Sequence, residues 1–200
     1  MAVGVAILSG LMTGCATYIR ATSERPVRCE PIEVVAWSEW ARHALGRTGL
    51  FPFSAPYYAE AAAGEVREIY GRELRASGAF RYLDMVPHRI SGDEEAIWWG
   101  RREGYDMVIV PSMVYMMDGS GALPTRLETR IRILDVRTGC ILWDLGQKAF
   151  SVPGLDLDLY WNTISGAPAQ RNRRLAEALA QQLTLYFKSS GRCQWKWIDK

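Results

Sequence analysis

Residues that carry chemistry are scarce in this chain. Two histidines occur in 200 residues: His43 lies in a loop-like stretch and His88 follows Pro87 at the end of a strand pattern. A surface or capping role accounts for each. There is no Gly-x-Ser-x-Gly elbow, no His-Glu-x-x-His helix and no phosphate-binding glycine loop, so the usual hydrolase, zinc-protease and nucleotide-binding signatures are missing. The four cysteines stand at positions 15, 29, 140 and 193, without the paired spacing of a zinc site. Asp118-Gly119-Ser120-Gly121 lacks the further carboxylates that a calcium loop places at fixed offsets, and reads as a turn. A net charge of +2 gives no basic excess for nucleic acid. Beyond Cys15 no apolar run approaches the ~20 residues of a bilayer-crossing helix. Neither a metal nor a cofactor is expected, and the chain reads as non-enzymatic.

What is present begins at the amino terminus. An apolar run from Ala2 to Met12, interrupted by Gly4, Ser9 and Gly10, leads into Thr13-Gly14-Cys15. It is too short to span a bilayer and has the length of a signal h-region. The ending Leu11-Met12-Thr13-Gly14-Cys15 resembles the lipobox of bacterial lipoproteins. That resemblance implies cleavage before Cys15, lipid on its thiol and amine, and an exported, membrane-anchored domain. Residues 1–14 are then a signal peptide and 15–31 a lipidated tether. Seventeen residues reach at most ~55 Å and average nearer ~23 Å as a coil, so the domain stays close to its membrane.

The remainder has the size and composition of one globular domain, 48% hydrophobic and 23% charged, expected over residues 32–190 with a Trp-rich tail at 191–200. Ile32 to Trp40 suits a first strand or an interface segment. Thr48 to Phe53 reads as a buried strand, followed by a helix from Tyr57 to Ser77 with Val66, Ile69, Tyr70 and Leu74 on one face. Gly78 closes it. Phe80 to Val86 is a strand. Ser91 to Gly104 is a helix with Asp93, Glu94 and Glu95 in its first turn and Arg101 and Arg102 in its last, complementing the helix dipole. Tyr105 to Met117 is apolar and β-branched, as a central strand would be. Thr125 to Val136 alternates Leu127, Ile131 and Ile133 against Arg126, Glu128, Arg130 and Arg132, and a Thr-Gly turn joins it to a strand from Cys140 to Val152. Residues 153–169 look irregular, and a last helix runs from Pro168 to Ser189. The predicted fold is an α/β (α+β) sandwich, a mixed sheet of about five strands packed with three helices.

Several phrases in this order resemble a group of envelope domains that includes the TolB amino-terminal domain, CsgG, LpoB and PelC. They are Leu50-Phe51-Pro52-Phe53, the transition from Leu74 through Gly78 to Phe80, Tyr105-Asp106-Met107-Val108-Ile109-Val110, and Ile133-Leu134-Asp135-Val136-Arg137-Thr138-Gly139-Cys140-Ile141-Leu142-Trp143. The resemblance covers roughly residues 48–190. It implies a Gram-negative outer-membrane lipoprotein facing the periplasm, acting as an assembly or export accessory for envelope or secretion proteins. Such a protein would work by partner binding or homo-oligomerisation, with PelC, a polysaccharide-export lipoprotein, as the nearest functional analogue. Ala16 after the cysteine agrees with the outer membrane, since Asp there would suggest inner-membrane retention. An alternative is a stress-type lipoprotein that stabilises the envelope.

Eight tryptophans are a surplus that interfaces and membrane boundaries share. Trp98 and Trp99 are adjacent on a helix and diverge by about 100°, while Trp195 and Trp197 lie in the tail. With Tyr160 and Trp161 they are the candidate partner or membrane contacts; Trp143 reads as core. Asp156 and Asp158, spaced as on one strand face beside Tyr160 and Trp161, are a candidate glycan-binding or glycan-cleaving pair. Arg171, Arg173 and Arg174 open the last helix at the unfavourable end for its dipole and could meet headgroups, a partner's acids or solvent. Cys29 and Cys193, near opposite ends of the domain, are a candidate disulfide in an oxidising compartment, and Cys140 is expected to be a buried lone thiol.

Overall fold

The computed structural model describes residues 25–39, 46–159, 162–164 and 166–193, with side chains of 157–159, 162–164 and 190–193 outside that description. The strands are β1 (Arg28–Cys29), β2 (Glu33–Ala36), β3 (Arg47–Leu50), β4 (Tyr82–Met85), β5 (Met107–Met117), β6 (Thr125–Asp135), β7 (Ile141–Ser151), β8 (Leu157–Leu159) and β9 (Asn162–Ile164). Three helices, α1 (Glu60–Ala76), α2 (Asp93–Glu103) and α3 (Asn172–Cys193), complete the fold.

Seven strands form one mixed sheet in the order β1-β7-β6-β5-β3-β4, with β2 also on β7. β3 is parallel to both β4 and β5, while β5, β6 and β7 form an antiparallel meander. The chain leaves β3 through α1 outward to β4, then returns through α2 past β3 to β5. Crossovers of one hand running in opposite directions place their helices on opposite faces.

Alternation along the strands therefore divides the interior into two cores. Leu50, Ile109, Leu127, Ile131, Ile133 and Trp143 pack with the buried stripes of α1 and α3. Phe51, Val108, Val110, Leu134 and Val136 face the other way, onto Ala96 of α2. The α1 face expected from spacing, Val66, Ile69, Tyr70 and Leu74, is buried as a unit, and Trp143 is fully buried. A polar network threads the larger core. The Tyr70 hydroxyl lies 3.0 Å from Thr129 Oγ1 and donates to Gln147 Oε1 at 3.1 Å, while Gln147 Nε2 donates to the Leu179 carbonyl at 2.8 Å. Each member of this network thus finds a partner, as burial requires.

Close approach of helix and sheet depends on glycine at one position on α2. A Cβ at Gly100 would lie 2.7 Å from Val136 Cγ2 and 2.9 Å from Val108 Cγ1. Gly104, at φ 72°, then ends the helix in the left-handed region that favours glycine.

The sheet is wider than the five strands expected. Arg28 and Cys29, read from sequence as tether, pair with Phe150 and Ala149, and Glu33–Ala36 pairs with the next part of β7. Two- and four-residue strands are too short to show a period of two. The stretch 153–169, read as irregular, holds the β8–β9 hairpin, separate from the main sheet. α3 begins later than expected and extends to Cys193. Among the described residues no helix is long and apolar enough to cross a membrane.

Candidate interaction surface

α2 carries its apolar residues inward and leaves an aromatic cluster on its flank. Its start is fixed by Glu95, whose carboxylate accepts from the backbone and hydroxyl of Ser91 at 2.8 and 2.7 Å. These hydrogen bonds hold the Glu95 carboxyl below its ordinary range, with a smaller contribution from Trp99. One turn on, the Trp99 indole stacks on His88 with centroids 3.6 Å apart and planes 10° from parallel. Trp98 meets Trp99 edge-on at 4.8 Å. The Arg102 guanidinium lies over both indoles, at 5.3 and 5.6 Å. Trp98 remains 52% exposed, whereas Trp99 is half-buried and packs on the smaller core. The adjacent pair divides as their helical angle predicts: one ring braces the fold and the other faces out. His88, read as a surface or capping residue, is part of this stack.

A second apolar surface lies at the opposite edge of the sheet. Val34, Val35 and Trp37, on and just after β2, are 44%, 61% and 59% exposed. This is the segment read as strand or interface. Among the described residues nothing pairs with the outer side of β4, so the sheet has an open edge there too.

On the α2 side of the sheet, beyond the helix, the face of β6 and β7 is charged. Arg130 grips Asp144 with two hydrogen bonds of 2.7 and 2.6 Å, and Arg132 bonds Asp93 at the start of α2. The half-exposed reading of β6 is confirmed: its side chains at 125, 127, 129, 131 and 133 are buried and its arginines face outward.

The other sequence-derived candidates are described only in part. Asp156 is exposed and its Oδ1 accepts from the Gly166 backbone at 2.8 Å, closing the base of the β8–β9 loop. Asp158 pairs through its backbone with Thr163, and its side chain lies outside the described residues. Tyr160, Trp161, Trp195, Trp197, His43 and Cys15 also lie outside them. Cys29 is exposed in β1, and the side chain of its expected partner Cys193 is outside the description. Cys140 is exposed rather than buried, because it falls in the turn ahead of β7 instead of within the strand. Arg173 and Arg174 have a local explanation. Both pair with Glu177 one turn along α3, at 3.3 and 3.1 Å. Among the described residues no cluster of three or more His, Cys, Asp or Glu could hold a metal ion.

No protein-family model matches the chain, and no curated protein sequence matches it. Solved structures do. A PelC dodecamer from Paraburkholderia phytofirmans, in a form carrying one leucine-to-methionine substitution, superposes with a TM-score of 0.51 at 15% identity, covering 80% of this chain and 96% of that one. A second PelC dodecamer from the same organism gives a TM-score of 0.51 at 16% identity, covering 80% and 94%. A hypothetical protein from Chlamydia trachomatis gives 0.47 at 15% identity, covering 73% and 99%. At these identities the likeness is one of fold: a curled mixed sheet with three helices, as in PelC.

Proposed function

We propose that this chain is a lipid-anchored accessory of envelope assembly or export, held at the periplasmic face of the outer membrane. It acts without catalysis, by binding partner proteins or copies of itself. The observation that carries this reading is the PelC-like fold, shared over four fifths of the chain with a protein that was solved as a dodecamer. Two surface features support it. A sheet with open edges can add a neighbour head to tail, and such contacts close into rings when the rotation permits. The exposed Trp37 beside Val34 and Val35 on one edge, and Trp98 with Arg102 on α2, supply the tryptophan and arginine that interfaces favour. Anchoring through Cys15 would hold every copy at the same height above the bilayer, which favours a planar ring.

The test is the mass of the full-length protein in detergent by light scattering. A defined oligomer supports the proposal, and a strict monomer at high concentration overturns the ring. Cys15→Ala should abolish fatty-acid labelling and release the protein from membranes. Persistence of both in the variant would overturn the anchor.

A further inference from the structure

A cleft of about 410 Å³ opens at the carboxyl ends of β3 and β4, between residues 52–55, residues 87–90 and the first turns of α1. Its position follows from the topology. The chain leaves β3 toward α1 on one face and leaves the neighbouring β4 toward α2 on the other. Adjacent parallel strands whose exits diverge leave a crevice at their carboxyl ends, and open α/β sheets place ligands there. Nothing in the proposed accessory role uses this crevice.

Arg67 of α1 forms its floor. Nη2 donates to the carbonyls of Leu50, the last residue of β3, at 3.1 Å and of Val86, one residue past β4, at 2.5 Å. Its Nε–H is buried and has no acceptor among the described residues, and none of their carboxylates pairs with the guanidinium. A buried donor left unsatisfied is destabilising until something accepts from it. Burial lowers the Arg67 pKa, the nearby Glu68 charge offsetting part of that effect. The only other cation among the described residues lining the cleft, Arg89, is already matched by Glu60 at 2.6 Å. The walls are Pro52, Phe53, Ala55, Ala63 and Ile90.

We infer that this cleft binds a small monocarboxylate with an apolar body, its carboxylate on Arg67 and its body against Phe53, Ala63 and Ile90. One unmatched cation suits a single negative charge. A dianionic phosphate would lack a second partner, and a neutral apolar ligand would leave Arg67 as it is.

Titration of the isotope-labelled full chain with N-acetyl-leucine, followed by NMR, tests this. Saturable shifts confined to residues 52–55, 63–67 and 87–90 are expected, with Kd on the order of 1 mM or tighter. N-acetyl-leucinamide should leave them unmoved. Arg67→Met should abolish binding. Gly64→Leu keeps Arg67 in place, and since a Cβ at Gly64 meets nothing within 4 Å, the variant should fold. Its side chain occupies the cleft and should weaken binding at least about tenfold, which is 1.4 kcal/mol. Absence of saturable shifts, equal binding of the amide, or unchanged affinity in Gly64→Leu each overturns the inference. These outcomes are independent of oligomeric state.

Discussion

Replacing Gly64 and Gly100 by alanine makes the same chemical change in two helices and should stabilise the first but not the second. In an exposed helix interior the exchange gains about 0.5–1 kcal/mol, because glycine carries the larger entropy loss on folding. At Gly64 nothing lies within 4 Å of the added Cβ, so that gain should appear in full. At Gly100 the Cβ would stand 2.7 Å from Val136 Cγ2 and 2.9 Å from Val108 Cγ1. Both neighbours are β-branched and stiff at χ1, so relief requires α2 to lift from the sheet. Overpacking of this kind costs about 1–3 kcal/mol. Gly100→Ala should therefore lie between neutral and about 2.5 kcal/mol destabilised. The propensity gain is common to both variants and cancels in their difference, leaving about 1–3 kcal/mol from packing alone. Urea unfolding followed by circular dichroism reads this directly, because at an m-value near ~2 kcal/mol/M the midpoints should differ by roughly 0.5–1.5 M. Equal midpoints would refute the close seating of α2 on the sheet.

Burial, the largest influence, pushes the Tyr70 phenol above its ordinary value. Its neutral form is then favoured in the folded state, so stability is intact below the unfolded pKa of about 10 and falls above it by about 1.4 kcal/mol per pH unit. Tyr70→Phe should remove that share of the alkaline loss, at a cost near neutral pH of about 1–3 kcal/mol for the partners left on Thr129 and Gln147. Melting temperatures of both proteins across alkaline pH check this, and parallel curves would count against it. Trp98→Ala should change stability by less than about 1 kcal/mol yet lower the oligomer mass or partner affinity, whereas Trp99→Ala should lose about 1–3 kcal/mol. Equal melting losses in the two variants would show that the pair does not divide between surface and core.

The long elements were legible in the sequence because their patterns are: α1, α3 and β6 each repeat a buried face several times over. The aromatic pair on α2 was legible too, since adjacent residues on a helix must diverge. Short edge strands were not. Arg28 and Cys29 join the sheet only because β7 runs long enough to offer them partners, which is a fact about distant residues. Arg67 left no trace either, because one arginine beside an apolar helix stripe looks like a solvated residue until the strand ends that it caps are placed beneath it. Nor did the sequence show the local role of Asp156. A carboxylate near a loop end is as useful for closing the loop as for chemistry, and its Oδ1 accepts from the Gly166 backbone.

The segment from Val86 to Ile90 gives the aromatic cluster and the cleft a common wall. Val86 supplies one of the carbonyls that hold Arg67, and Pro87, Arg89 and Ile90 line the cleft. Between them His88 turns the other way and stacks on Trp99. A carboxylate on Arg67 would compete for the guanidinium that now grips the Val86 carbonyl, and any adjustment there reaches His88 two residues on. Trp99 emission should therefore report occupancy of the cleft from outside it. The other tryptophans of the eight dilute that signal, so the measurement is the difference between the chain and its Trp99→Phe variant as N-acetyl-leucine is added. A saturable change carried by Trp99, absent in Gly64→Leu, would join the two surfaces. Binding seen by NMR with no change in the Trp99 difference spectrum would show instead that segment 86–90 is rigid and that the surfaces act separately.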